Sequence, residues 1–504
     1  MPDEIKAAYE AISSINKEAY KDIFLISNQV LSKNPVNNDF ISNFLNKKDF
    51  PNVPWWVVTC KLFTYYAKSF LHLAMYLLKF LEYYLSGLRF YPDGGKEELI
   101  AIDICFIIES IKISQGFHDF YFPGLEAVLK KKNKHFAYIP FFYSASYYKR
   151  PFELYDALRI LKKEKVPIVT EFQMLSLGDL RSLLIFMLAY PFRVLRFSKT
   201  LERGSYKERL IRHELIETLG QVTFYSFSRY LLGKRLLTLP YEKIKLISWY
   251  ENQPIHKNLY MGLRTKPGKA SIYGAQLFLH PRDYLYILPD EDEQVFGVIP
   301  DKIIANGPSY IPEGTRLNYA LGPSLRSAKV FDVVVKKEDQ KNIVVLLPCF
   351  KEEADNILQM LSDADLRSQN ILLKAHPALP VEKFMSRIPP YVTVTNEDTY
   401  KLFKTAKAVV SAASSVLVEA ASIGIPSISV KGTKQFDYSN PLSEYGKGII
   451  WEEVKSPEEL RRQIEKIEYL LENEPEKIRA VADKYKSMFF CEATEENIEK
   501  AFEL

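Results

Sequence analysis

Residues 408 to 430 read Ala-Val-Val-Ser-Ala-Ala-Ser-Ser-Val-Leu-Val-Glu-Ala-Ala-Ser-Ile-Gly-Ile-Pro-Ser-Ile-Ser-Val, and these residue types in this order suit the binding of a phosphate. An apolar run ends at Ser411. The hydroxyl cluster Ser411, Ser414 and Ser415 stands where a helix should begin, and Gly424 with Pro426 closes that helix before a second apolar run. Free backbone N–H groups at a helix N-terminus carry partial positive charge, hydroxyls add donors, and small side chains let a pyrophosphate approach. Glu419, one turn into the helix, is within reach of a ribose hydroxyl. Upstream, Ile371-Leu372-Leu373-Lys374-Ala375-His376-Pro377 is another apolar run ending in a polar pair. His376 is therefore expected at the carboxyl end of a strand, where open α/β sheets take their ligands. Taken singly, each motif has an ordinary alternative: a serine pair is a common N-cap, and His-Pro recurs at His280-Pro281. The order strand, His-Pro, strand, helix, strand, serine helix, Gly-x-Pro, strand puts both motifs on one edge of one sheet.

The acidic residues that could move a proton lie earlier in the chain. Glu251 follows the apolar strand Ile244 to Trp249 directly and precedes a helix starting near Pro254, so it is expected at a sheet's carboxyl edge. A carboxylate there is a candidate general base, or simply an acid complementing a helix dipole. Glu171 follows Val166-Pro167-Ile168-Val169-Thr170, and Asp119 sits in the polar loop Gln115-Gly116-Phe117-His118-Asp119; both are further candidates. His280, after Ser271 to Leu279, could face the same cleft, whereas Asn306-Gly307-Pro308 reads as a turn.

The pair His376-Pro377 and the pair Ser414-Ser415 resemble motifs of the GT-B glycosyltransferases. Their pattern is that of bacterial enzymes using CMP-activated acidic sugars, the sialyltransferases, polysialyltransferases and Kdo transferases, in which a His-Pro motif and a later serine motif hold the cytidine monophosphate. The resemblance covers about residues 340 to 475. It implies an α/β fold of two Rossmann-like domains facing a cleft. The second domain would hold a nucleotide-sugar donor through His376, Pro377, Ser411, Ser414, Ser415 and Glu419. The first would supply the catalytic carboxylate, Glu251 ahead of Glu171 and Asp119, and take a glycan or glycolipid acceptor of the bacterial surface. It further implies a reaction with no metal ion and no cofactor besides the donor. Polymerases that use CDP-glycerol and UDP-sugar enzymes of the same fold carry similar elements. A non-catalytic protein on the same scaffold, docking a membrane complex, is the alternative from a different class.

The elements that must position these residues follow from the patterning. Residues 1 to about 95 read as helical. The span 96 to 325 then carries strands at Ile100 to Ile108, Phe136 to Tyr143, Val166 to Thr170 and Ile244 to Trp249, interrupted by a helical insertion at about 175 to 240. Pro308 to Pro323 reads as the approach to an interdomain linker, Asn342 to Leu347 opens a second sheet domain over 326 to 475, and residues 476 to 504 are expected as helices packing across the hinge. Strands alternating with helices imply parallel, doubly wound layers. Neither Gly-x-Gly-x-x-Gly nor a Walker sequence occurs.

Composition narrows the function classes. With 504 residues the chain can build more than one full core, and 47% hydrophobic with 26% charged residues is globular composition. A net charge of +5 excludes a nucleic-acid polycation. The four cysteines, Cys60, Cys105, Cys349 and Cys491, form no C-x-x-C pair, which argues against a zinc site and for a reducing cytoplasm. Met1-Pro2-Asp3-Glu4-Ile5-Lys6 has neither the basic nor the apolar region of a signal peptide. Two stretches are unusually apolar. Along Val53 to Leu88, Lys61, Lys68, His72 and Lys79 fall within about 40° of one another at about 100° per residue, a narrow basic stripe on an aromatic body. Leu183 to Phe197 mixes aromatics with Arg193 and Arg196, with Pro191 inside. Both suit an interfacial helix on the anionic inner face of the cytoplasmic membrane; burial between domains or in a dimer is the alternative.

Overall fold

The computed structural model describes residues 2–32, 40–46, 53–92, 97–143, 152–202, 204–281, 284–377, 379–432, 440–442 and 444–504. Its apolar runs form two sheets of six parallel strands. The first contains β1 (Glu98–Ile107), β2 (Phe136–Tyr143), β3 (Lys243–Trp249), β4 (Ala270–Gln276), β5 (Lys302–Ala305) and β6 (Tyr319–Leu321), in the order β2-β1-β3-β4-β5-β6. The second contains β7 (Asn342–Leu346), β8 (Asn370–Lys374), β9 (Val392–Val394), β10 (Ala406–Ser411), β11 (Ser427–Val430) and β12 (Trp451–Val454), in the order β12-β11-β10-β7-β8-β9. The central strands are near-continuous buried apolar runs, such as Leu99 to Ile102 and Ile343 to Val345, because helices cover both faces. This is the pair of Rossmann-like domains of the GT-B architecture.

Each sheet has one point where its winding reverses. The chain passes from β1 outward to β2, then returns to place β3 on the other side of β1. In the second sheet it passes from β7 to β8 and β9, then returns to place β10 on the other side of β7. Connections that leave in opposite directions open a crevice at the carboxyl ends of the two strands between them. Those crevices lie between β1 and β3 and between β7 and β10. Beneath the first, buried Asp103 of β1 pairs with Arg229 of the helix Phe224–Leu236. Asp103 also accepts a hydrogen bond from Ser248 Oγ of β3 at 2.7 Å.

Three expectations change. Val166 to Thr170 is no full strand: Ile168 makes a single parallel bridge to Tyr138, with hydrogen bonds at 2.8 Å from Tyr138 N and 2.9 Å from Val169 N. Pro167 brings no N–H, and Thr170 already caps the helix Glu171–Met174. Pro308 to Pro323 does not leave the first sheet but supplies its last strand, β6, and the crossing is made by the segment after Ser324. The basic stripe of the long helix Trp55–Ser86 is turned toward the protein. Lys61 reaches Glu217 at 2.6 Å, buried Lys79 pairs with Glu82 at 2.9 Å, and half-buried His72 meets the Tyr225 ring, so only Lys68 of the four is exposed. Periodicity gives a stripe but not its direction, and this one packs inward, with Lys61 held by Glu217 of the helix Tyr206–Glu217 and His72 by Tyr225.

The opposite side of that helix is apolar and open to solvent: Trp55 is 78% and Phe63 75% exposed, followed by Phe70, Leu77, Leu81 and Leu85. The helix Leu177–Thr200 lies beside it, with Tyr66 Oη donating to the Leu188 carbonyl at 2.9 Å, and adds exposed Ile185, Leu188 and Phe192. Among the described residues no helix is long and apolar enough to cross a membrane. After the second sheet the chain returns to the first: the helix Glu495–Phe502 packs Phe502 on Phe122, and Glu503 joins Lys302 at 2.8 Å.

The helix Pro254–Leu263, which begins just past Glu251, is held against the helix Phe224–Leu236 by facing glycines. A Cβ on Gly262 would run into the Tyr230 carbonyl, and one on Gly233 into the Leu259 carbonyl. Backbone cannot yield there as a flexible side chain would, so Gly262→Ala is expected to lower stability by about 1–3 kcal/mol or more. Urea unfolding monitored by circular dichroism checks this; an unchanged midpoint would contradict so close a helix contact.

Candidate functional site

The residues expected to hold a donor lie around the reversal in the second sheet. β10 ends at Ser411, whose hydroxyl donates to the Leu346 carbonyl at 2.7 Å and so ties β10 to β7 at the crevice. Ser411 is therefore engaged in joining the strands, while the turn beyond it faces the crevice. Ser414 occupies the N-cap position of the helix Ser415–Ser422 in an extended conformation and makes no side-chain cap hydrogen bond. The Leu417 N–H donates to the Ser414 carbonyl at 3.1 Å, so it is the N–H groups of Ser415 and Val416 that no side-chain cap takes up, and both serines are half-buried. Gly424, with φ of 87°, and Pro426 end the helix as the sequence suggests. His376 and Pro377 are exposed in the turn after β8, the other neighbour of β7. Partial burial and the charge of Arg326 both hold the His376 imidazole below its ordinary range, which keeps it neutral at pH 7.

Glu419 lies one turn along the same helix. Its two oxygens accept from Tyr400 Oη at 2.7 Å and from Ser327 Oγ at 3.2 Å. Burial raises its pKa, while the hydroxyls of Tyr400 and Ser327 and then the Arg326 charge lower it. Any contact from Glu419 to a ribose must share a carboxylate already bonded to two hydroxyls.

On the facing half, Glu251 directly follows Tyr250 after β3, beside the reversal in the first sheet. Burial pushes its carboxyl up to about 7 against the Arg326 charge and a hydrogen bond from Gln253 Nε2 at 2.7 Å, both of which lower it. The Glu251 charge is felt at Tyr121, Tyr284 and Tyr286, whose hydroxyls burial already makes harder to ionise. Arg326 sits in the crossing segment between the sheets, with its guanidinium 5.8 Å from the Tyr121 ring centre. One cation therefore acts on Glu251 from the first half and on His376 and Glu419 from the second. Sequence reasoning missed Arg326: it lies in a short 3-10 segment, Leu325–Val330, with no flanking apolar run to mark it as an edge residue.

The other candidates are employed elsewhere. Asp119 Oδ1 accepts from the backbone N–H of Tyr121 and of Phe122, both at 2.8 Å, and Oδ2 from Tyr138 Oη at 3.3 Å, so its carboxylate staples its own loop. Burial is the largest influence on it and raises its pKa, against those bonds. Glu171 accepts from Ser228 Oγ at 3.0 Å and lines an aromatic pocket with Tyr76; burial raises its pKa as well. His280 is buried, stacks obliquely on Tyr310 at 4.8 Å, and is held by burial down to about 4. It packs at the junction of the halves and does not reach the crevice group through Arg326. No group of three or more His, Cys, Asp or Glu side chains suited to a metal ion occurs among the described residues.

No family model matches the sequence, and no curated protein matches it. Among solved structures the chain is similar to MurG from Acinetobacter baumannii, at 13% identity over 81% of this chain and 100% of that one, with a TM-score of 0.44. It is similar to S. aureus MnaA in its co-structure with UDP, at 10% identity over 80% of this chain and 94% of that one, with a TM-score of 0.43. It is also similar to the glycotransferase of kitacinnamycin, at 11% identity over 82% of this chain and 100% of that one, with a TM-score of 0.42. Likeness at this level carries neither a donor nor a reaction across to this chain.

The raised carboxyl of Glu251 has a consequence for stability. Its folded-state pKa of about 7 exceeds the ordinary 4.5, so the folded protein binds this proton more tightly than the unfolded chain. That contribution is present below pH 4.5 and is lost as pH rises toward 7. Glu251→Gln removes the loss. The variant is expected to match the wild type at pH 4 and to exceed it above pH 7 by up to about 3 kcal/mol. Urea unfolding at both pH values tests this; the same difference at both would contradict a buried, proton-holding Glu251.

Proposed function

We propose that the protein is a glycosyltransferase moving an acidic sugar, of the Kdo or sialic-acid type, from a CMP-activated donor to a glycan or lipid-linked acceptor at the inner face of the cytoplasmic membrane. The observation that carries this reading is the convergence on Arg326 of Glu251 from one sheet edge and of His376 and Glu419 from the other. The donor phosphate lies against the first-turn N–H groups of the helix Ser415–Ser422 and the hydroxyls of Ser414 and Ser415, with the neutral His376 as a further donor. Glu251 takes the proton of the acceptor hydroxyl. That oxygen forms the new bond to the anomeric carbon, the bond from that carbon to the phosphate oxygen breaks, and its electron pair leaves with the nucleotide. Arg326 faces the charge that develops on the leaving group, and it suits a donor that also carries a sugar carboxylate. A base with a pKa of about 7 is well matched to proton transfer near neutral pH. Positive charge supplied by Arg326 and the helix N-terminus lets the proposed reaction run without a metal ion or other cofactor.

Glu251→Gln keeps volume and hydrogen bonding but removes the basic oxygen. It is expected to bind nucleotide as the wild type does and to lose about 10²-fold or more in turnover. His376→Ala is expected to weaken nucleotide binding with little change in stability, since the side chain is exposed. Thermal shift with CMP, CDP and UDP reads the donor: stabilisation by CMP supports the reading, and stabilisation by UDP alone replaces the CMP donor with a UDP-sugar.

The membrane part of the reading is supported by the exposed apolar side of the helix Trp55–Ser86, which carries no acid because Glu82 is buried, and by exposed Arg181, Arg196 and Lys199 on the adjacent helix Leu177–Thr200. Apolar side chains rimmed by cations suit an anionic bilayer surface. Replacing Trp55, Trp56 and Phe63 together by serine is expected to weaken binding to phosphatidylglycerol-containing vesicles at least tenfold. Unchanged vesicle binding would contradict this and assign the face to a protein partner. Reversing Lys61 and Lys79 is no test, because both are held in ion pairs inside the protein.

A further inference from the structure

At the carboxyl edge of β1 and β2 the first domain contains a pocket of about 240 Å³ that the proposed chemistry does not use. Its walls are aromatic, formed by Tyr76, Phe141, Phe142, Phe172 and Tyr225. Its two members that can be charged at neutral pH are both engaged: Lys79 in its buried pair with Glu82, and Glu171 as acceptor of the Ser228 hydroxyl. What remains for a ligand is mostly apolar surface, with the hydroxyls of Tyr76, Tyr143 and Tyr225. The volume exceeds the roughly 150 Å³ of an apolar cavity that stays dry and takes up benzene, so a ring or several methylene groups fit.

Two features say what occupies it. The pocket wall at Tyr76 and Lys79 belongs to the same helix, Trp55–Ser86, whose other side is the exposed apolar face. The pocket also lies at the carboxyl edge that bears Glu251, with β2, β1 and β3 adjacent in the sheet and spaced by about 4.8 Å. An amphiphile whose polar head reaches Glu251 can lay hydrocarbon in the pocket without leaving that edge. We propose that this pocket is a binding subsite for the hydrocarbon chain of the acceptor, in the segment next to its polar head group. The class of acceptor is then an alkyl- or prenyl-linked glycan rather than a free sugar. This rests on the reading of the protein as a transferase acting on a lipid-linked acceptor.

The probe is n-nonyl β-D-glucoside below its critical micelle concentration, titrated calorimetrically into the full-length protein. The expected result is saturable one-to-one binding. Leu154→Trp, which fills the pocket from its wall, and Tyr143→Glu, which puts a charge at its exposed rim, should each weaken that binding at least tenfold. Tyr143 is 52% exposed, so the second variant does not depend on repacking a core. Non-saturable binding by the wild type, or an affinity unchanged in Tyr143→Glu, overturns the proposal. The same samples are titrated with CMP and UDP. Failure of the wild type to bind either nucleotide counts against the donor reading, whereas loss of glucoside binding in variants that keep their nucleotide affinity supports the subsite.

Discussion

The reversal of strand order in each sheet is the constraint on which the rest depends. In a parallel sheet every connection is a crossover, and where successive crossovers leave in opposite directions no loop covers the strand ends. Both halves obey this, at β1/β3 and at β7/β10, and each crevice is tied beneath its mouth. In the first, the buried pair of Asp103 and Arg229, with Ser248 on the same carboxylate, joins two strands and a helix. In the second, Ser411 bonds β10 to the end of β7. Removing one member of the buried pair would leave an uncompensated charge, a large penalty inside a core. These ties fix the strand ends, and the strand ends fix Glu251 and the serine turn.

Electrostatics then separates the carboxylates that sequence spacing treats alike. Glu251, Glu171 and Asp119 all follow apolar segments of the first domain, and burial raises the pKa of all three. Asp119 is saturated by two backbone N–H groups and a tyrosine hydroxyl, and Glu171 faces an aromatic pocket. Glu251 is the one within reach of the Arg326 charge, so it alone among them shares that cation with His376 and Glu419 of the second domain. A cation beside a desolvated carboxylate holds it near the point where it can gain or lose a proton at neutral pH, which a fully solvated acid does not do.

Much of this was legible in the sequence, and what was not has physical reasons. The places of Glu251, His376 and the Ser414-Ser415 turn just past strand ends could be read because strands buried on both faces leave long apolar runs whose ends are easily seen. The strand expected at Val166 to Thr170 failed because apolar composition does not report a missing N–H at Pro167. Arg326 left no trace, since a 3-10 crossing segment has neither helical nor strand periodicity. The basic stripe at Lys61, Lys68, His72 and Lys79 was correctly spaced but faced the wrong way. Its partners on other helices, Glu217 for Lys61 and Tyr225 for His72, are far away in sequence, and an inward polar stripe left an outward apolar face.

The central claim is that a nucleotide phosphate sits on the N-terminus of the helix Ser415–Ser422, across from Glu251. A crystal structure of the Glu251→Gln protein with bound CMP tests it most directly. The account predicts the phosphate within hydrogen-bond distance of the first-turn N–H groups and the Ser414 or Ser415 hydroxyl, with His376 and Arg326 at its other oxygens. A nucleotide bound away from that turn, or a phosphate with no contact to it, would contradict the account.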